Sequence, residues 1–208
     1  MSTEKFVTYR DFSDIPREVF DGLSATYAQV FSESPWNETW SQNAVVEKLT
    51  REFGAEDSFL TVMRGDDSCF IGGFCWGAVV SVRDISDRVR AVREIAPGEM
   101  ACLEAMVAKR RASRVLYVDE LAIAPSFRSG IGAIASLCVP FFRIAVKKRV
   151  GALCWSTEES RISSILRAYR FKTIGEMGQI RFYWISQKTA QILQPVAEAL
   201  AATPYQRK

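Results

Sequence analysis

Tyr117-Val-Asp-Glu-Leu-Ala-Ile-Ala-Pro-Ser-Phe-Arg-Ser-Gly-Ile-Gly-Ala-Ile-Ala135 decides how this chain reads. The apolar run Val115 to Ile123 predicts a strand, which Ala124-Pro125 ends. A short turn then presents Arg128, and Gly130 and Gly132 open a helix predicted to run from Ile131 to Lys148. Glycines at a strand-to-helix turn let the backbone approach a ligand closely, and the first amides of a helix have no partner within it. The helix dipole and Arg128 favour an anion there. The expected ligand is the pyrophosphate of a nucleotide-tailed cofactor.

Other readings of the same glycines compete. Gly130-x-Gly132-x-x-Ala135 fits the dinucleotide fingerprint. That fingerprint needs the strand to run almost directly into its first glycine, whereas four residues separate Pro125 from Gly130. Too little chain follows to complete a parallel sheet of that kind. The phosphate loop of nucleotide hydrolases needs a lysine after the glycines, and none stands here. The remaining alternative is a tight turn with no ligand.

Composition narrows the function classes. The 208 residues, 48% hydrophobic and 25% charged, suit one soluble α/β domain spanning 1–208. A net charge of +3 does not argue for nucleic acid or a membrane surface as partner. No basic segment leads into an apolar run at the N-terminus, so no secretory signal is expected. The apolar run Phe70 to Val82 is too short to span a bilayer. Five isolated cysteines read as reduced, buried thiols, so the expected compartment is the cytoplasm. The chain has no histidine and no CxxC, which argues against a metal site and excludes Ser–His and Cys–His catalysis.

Around the central segment, strands are predicted at Phe6–Tyr9, Ser58–Met63, Phe70–Val82, Gly151–Ser156, Lys172–Met177 and Ile180–Ser186. Helices are predicted at Ile15–Phe31 with Asp14 as its cap, from Ser41 to about Phe53, near Met100–Lys109, at Ser160–Tyr169, and after Ser186. Pro140 should kink or split the long helix after the glycines. Arg64 to Ser68 reads as a hairpin loop.

The segment Tyr117 to Ala135, with Gly72-Gly73-Phe74 before it and Leu166 to Gly175 after it, resembles the GNAT superfamily of acyl-CoA-dependent N-acetyltransferases. The loop Pro35-Trp-Asn-Glu-Thr-Trp40 looks like the acceptor-side loop of small-molecule members. The resemblance implies a mixed, mostly antiparallel sheet of about seven strands flanked by helices. It also implies a splay at the strand that ends near Ala124. The co-substrate implied is acetyl-CoA, with backbone groups of Leu121, Ala122 and Ile123 on its pantetheine arm. Its pyrophosphate would meet the amides of Arg128, Ser129, Gly130, Ile131, Gly132 and Ala133. The family motif is matched only with a one-residue deletion, which leaves the glycine loop short.

Acyl transfer to an amine needs a neutral nucleophile, hence a base. Asp119 and Glu120 are the candidates. On a regular strand they face opposite sides, and Leu121 and Ile123 share the parity of Asp119. This favours Glu120 as the base, with Asp119 as an acceptor-side contact. The family tyrosine position holds Leu166, so Tyr169, one turn later, is the candidate proton donor to the thiolate. Trp36 and Trp40, with Glu33 and Glu38, suit a cationic amine through aromatic faces and carboxylates; the alternative is that both tryptophans pack the loop onto the core. The expected acceptor is the primary amine of a small molecule. Two alternatives stay open: a non-catalytic acyl-CoA-binding module, and acetylation of a protein. A homodimer through the last helix is also compatible with the sequence.

Overall fold

The computed structural model describes residues 5–54, 57–65, 70–92, 97–110, 112–128, 131–169 and 171–202. Seven strands form one sheet: β1 Lys5–Tyr9, β2 Phe59–Arg64, β3 Ile71–Ser81, β4 Arg114–Ile123, β5 Gly151–Thr157, β6 Lys172–Met177 and β7 Ile180–Ile185. Their order is β1-β2-β3-β4-β5-β7-β6. Only β4 and β5 run parallel, and every other pair is antiparallel. A parallel pair needs a crossover, supplied by the helix α5, Gly132–Lys148. This is the mixed, mostly antiparallel sheet expected of the sequence.

On one face lie α1 (Arg17–Phe31) and α2 (Gln42–Phe53), packed on β2 and β3 through residues such as Leu23, Tyr27, Leu49, Phe74 and Trp76. Beside them on that face are α3 (Val82–Val92) and α4 (Pro97–Ala108), which bury Ile85, Val89, Leu103 and Val107 against Val115, Tyr117 and Phe182. The opposite face is covered by α5 together with α7 (Gln187–Ala202). The short helix α6 (Arg161–Ala168) follows β5 and is capped by the Ser160 hydroxyl, which accepts from the Ser163 amide.

Three local expectations are corrected. The first helix begins at Arg17 behind Pro16, and Asp14 belongs to a separate 3-10 turn whose cap is Asp11. The stretch Ser81–Arg114 holds two helices where one was expected, because Ile85 and Val89 give α3 a buried stripe among charged residues. Pro140 does not split α5, which runs unbroken through it. Of the Arg64–Ser68 loop, residues 66–68 lie outside the described residues.

Two irregularities shape the centre of the sheet. First, β4 pairs with β5 only at Val115–Tyr117, opposite Gly151–Leu153. Beyond that point the strands part, leaving one edge of Val118–Ile123 unpaired. Second, the β3–β4 ladder carries a bulge. Trp76 pairs with Glu120 and Gly77 with Val118, so Asp119 is an extra residue. The two backbones approach so closely here that a Cβ on Gly77 would sit 2.2 Å from the Tyr117 carbonyl oxygen. Glycine is required by this approach.

Candidate active site

The bulge decides which way the two acids face. Val115 and Tyr117 point to the side of α3 and α4, while Leu116 and Val118 point to α5. After the extra residue, Ala122 again packs with α1 and α2, and Leu121 and Ile123 with α5. Asp119 and Glu120 therefore share one face. The expectation that they oppose each other is corrected, because alternation holds only along a regular strand.

Both carboxylates are 5% exposed and both have partners. The Tyr27 hydroxyl donates to Glu120 Oε1 at 3.1 Å, and Lys48 Nζ lies 3.2 Å from the same oxygen. Lys48 also donates to Glu52 Oε1 at 2.6 Å, and the Trp76 indole N–H donates to Glu52 Oε2 at 2.8 Å. Arg88 donates to Asp119 Oδ2 at 2.7 Å and to the Glu52 carbonyl at 2.9 Å. Three buried carboxylates thus share Lys48 and Arg88, and Arg51 reaches Glu52 only at 3.9 Å from solvent.

Such a cluster has room for a proton. Burial pushes Glu120 up to about 7, against the pull of Lys48 and with added repulsion from Glu52. Burial, then repulsion from Glu52, pushes Asp119 up to about 8 against the pull of Arg88. Burial and the Glu120 carboxylate push Tyr27 far up, so it stays a donor. Lys48 is raised as well, because Glu120 and Glu52 outweigh its own burial.

Asp119 and Glu120 line a cavity of about 420 Å³, while Tyr27 and Lys48 stand behind them and do not. It passes from the loop carrying Glu33, Pro35 and Trp36, across Asp119 and Glu120, to Ile131 and Ile134 at the start of α5. Trp36 stands edge-on to Trp155, ring centres 5.8 Å apart, and both line it. Trp40 does not line it: its ring packs edge-on to Tyr27 at 5.1 Å and its N–H donates to Glu38 at 2.8 Å. Tyr169 lines the rim at the end of α6 and is 52% exposed.

Of the expected cofactor residues, Leu121, Ala122, Ile123, Arg128 and Ile131 line the cavity. Backbone amides alternate in direction along a strand. Since Ala124 donates to the Gly72 carbonyl, the amides of Leu121 and Ile123 point away from β3, into the splay. Ala122 is instead paired with Phe74 and offers only its surface. Arg128 is held at the mouth: it donates to the Ile123 carbonyl at 2.8 Å and pairs with Glu33 at 2.8 Å. Arg161 donates to the Arg128 carbonyl. Gly132, Ala133 and Ile134 form the first turn of α5, and no side chain among the described residues caps it. Ser129 and Gly130 lie outside the described residues.

Comparison with solved structures adds the family likeness. An acyl-CoA N-acyltransferase from Pseudomonas aeruginosa matches 88% of this chain and 98% of its own, with 10% identity and a TM-score of 0.53. The aminoglycoside N-acetyltransferase AAC(6')-Iy, solved in complex with CoA, matches 85% of this chain and 93% of its own, with 13% identity and a TM-score of 0.53. This is the GNAT fold. The ribosomal-protein-S18-alanine N-acetyltransferase of Escherichia coli shares it too, over 88% of this chain and 95% of its own, with 9% identity and a TM-score of 0.51. One GNAT frame therefore serves acceptors as different as aminoglycosides and a protein. No protein-family model and no curated protein matches the sequence. Among the described residues, no helix is long and apolar enough to cross a membrane.

Sequence reasoning missed Tyr27, Lys48, Glu52 and Arg88. A signal existed for two of them. Lys48 and Glu52 are one turn apart and share the face of α2 that buries Val45, Leu49 and Phe53. A lysine and a glutamate set within an apolar stripe mark a buried charge pair.

Proposed function

We propose that this chain is an acyl-CoA-dependent N-acyltransferase, with acetyl-CoA the simplest donor and the primary amine of a small molecule the acceptor. The observation that carries the reading is the cavity. It joins an aromatic loop on one side to an uncapped helix start on the other, and two acids with raised proton affinity stand on its wall.

Each residue has a role in this scheme. The outward backbone groups of Leu121 and the outward amide of Ile123 would hold the amides of the pantetheine arm, and the first amides of α5 with Arg128 its phosphates. The amine enters past Trp36 and Trp155. Glu120, ionised above about pH 7, takes its proton. Asp119 stands beside it with a still higher proton affinity and contacts the acceptor. Tyr169 at the rim returns a proton to the thiolate. The amine attacks the thioester directly, the new C–N bond forms and the C–S bond breaks.

The test is thiol release from acetyl-CoA across an amine panel. Glu120→Gln should lower turnover about 100-fold, most strongly at pH values below the pKa of the amine. Unchanged turnover across pH would remove Glu120 from the mechanism. Tight CoA binding without turnover on any amine would favour the non-catalytic reading, which the exposure of Tyr169 supports. Turnover on peptides alone would move the acceptor to a protein.

A further inference from the structure

The cavity does not stop at the acids. It continues along α5 between the sheet and α7, where Phe141, Phe142, Ile185, Leu193, Ala197 and Leu200 form its wall. Phe141 stands nine residues beyond Gly132, so this end lies about 14 Å along the helix from the proposed phosphate site. A pantetheine arm carries two amides, and burying an amide without a partner is costly. Its partners are the outward backbone groups of Leu121 and the outward amide of Ile123, whose carbonyl is already taken by Arg128. The end beside α7 offers hydrocarbon side chains, with the Cys138 and Cys154 thiols as the nearest weakly polar groups on that face. An arm that ends at the acids leaves this volume to whatever its sulfur carries.

We infer that the end of the cavity between α5 and α7 binds the acyl chain of the donor, and that the chain prefers linear saturated acyl groups longer than acetyl. The inference rests on the acyl-CoA reading above. It adds a second specificity site, on the opposite face of the sheet from the acids. Val196 lines this end and is 47% exposed, so a chain that outgrows the cavity emerges there, between α5 and α7.

The experiment is calorimetry of the full chain with CoA and with acetyl-, butanoyl-, hexanoyl-, octanoyl- and dodecanoyl-CoA. Each buried methylene should lower Kd by up to about fourfold, until the chain reaches Val196 and the gain levels off. Val196→Trp and Ala197→Phe both narrow this end and should flatten the series. Val196→Trp changes a half-exposed position that tolerates bulk, and far-UV circular dichroism checks the fold of both. If CoA binds but Kd is independent of chain length, the chain site is wrong and the acyl-CoA reading stands. A series equally steep in both variants also overturns the site. If neither CoA nor any acyl-CoA binds, both readings fall together.

Discussion

Replacing Glu120 by glutamine should make the protein more stable at alkaline pH, although the wild-type residue makes two polar contacts. The sign follows from the direction of the shift. Burial raises Glu120 from 4.5 to about 7, so folding takes up a proton as the carboxylate enters the interior. The associated stability is complete below the unfolded value, near pH 4, and is lost as pH rises through about 7. The rise from 4.5 to about 7 corresponds to ~3 kcal/mol. Glutamine keeps the shape of the protonated acid and carries no charge to bury. At pH 4 the variant and the wild type should unfold at nearly the same temperature. At pH 8.5 the variant should gain up to ~3 kcal/mol, or ~6 °C or more in Tm for a chain of this size. Thermal unfolding followed by circular dichroism at half-unit steps from pH 4 to 8.5 measures it. A Tm difference that stays constant with pH would refute the reasoning. A variant less stable than wild type at pH 8.5 would show that Lys48 outweighs burial and keeps Glu120 ionised in the native state.

Further outcomes are expected from neighbouring positions. Trp76→Phe removes the donor to Glu52 Oε2 and should cost about 1–3 kcal/mol in urea unfolding; a loss under 0.5 kcal/mol would mean that water replaces the indole. Gly77→Ala places a Cβ against the Tyr117 carbonyl, so the bulge must shift. Its stability should fall by more than ~1 kcal/mol, with turnover falling further as Asp119 and Glu120 move; normal kinetics would show that the bulge does not set the acids. Glu33→Gln releases Arg128 at the mouth and should tighten CoA about twofold to fivefold at low salt. The gain should vanish in 1 M salt, and a weakened complex would show that Glu33 positions Arg128 for its ligand.

The frame of this protein is legible in its sequence because periodic patterns specify it. Val115–Ile123 could only be a buried strand, and the glycines after Arg128 could only start a helix or a tight turn. The Ser41 hydroxyl accepts from the Ala44 amide as its position before an apolar stripe predicts. The site is less legible, because its geometry depends on departures from period. Strand alternation placed Asp119 and Glu120 on opposite faces, and a single unpaired residue reversed that. Gly77 was the available sign of the bulge, but a glycine in a strand does not say which partner residue is extra. The sequence offered Trp36 and Trp40 the same two roles, acceptor contact or core packing, and did not say that Trp40 alone would turn inward onto Tyr27 while Trp36 lines the cavity. Arg88 lay in a charged stretch where Ile85 and Val89 are the buried stripe among the described side chains of the helix.

The bulge also separates what the sheet needs from what the site needs. Trp76 and Glu120 pair on one side of it and Gly77 and Val118 on the other, so the ladder closes without Asp119. Shortening β4 by this one residue would leave Val118 and Glu120 each with its present partner and facing its present side. Strand length at this point is therefore a separate variable from residue identity. A variant lacking Asp119 keeps the frame in register and loses one acid together with its tie to α3. Relatives of this fold can be sorted by whether the strand carries one residue or none between those partners. That count records whether one carboxylate or a pair is delivered to the gap.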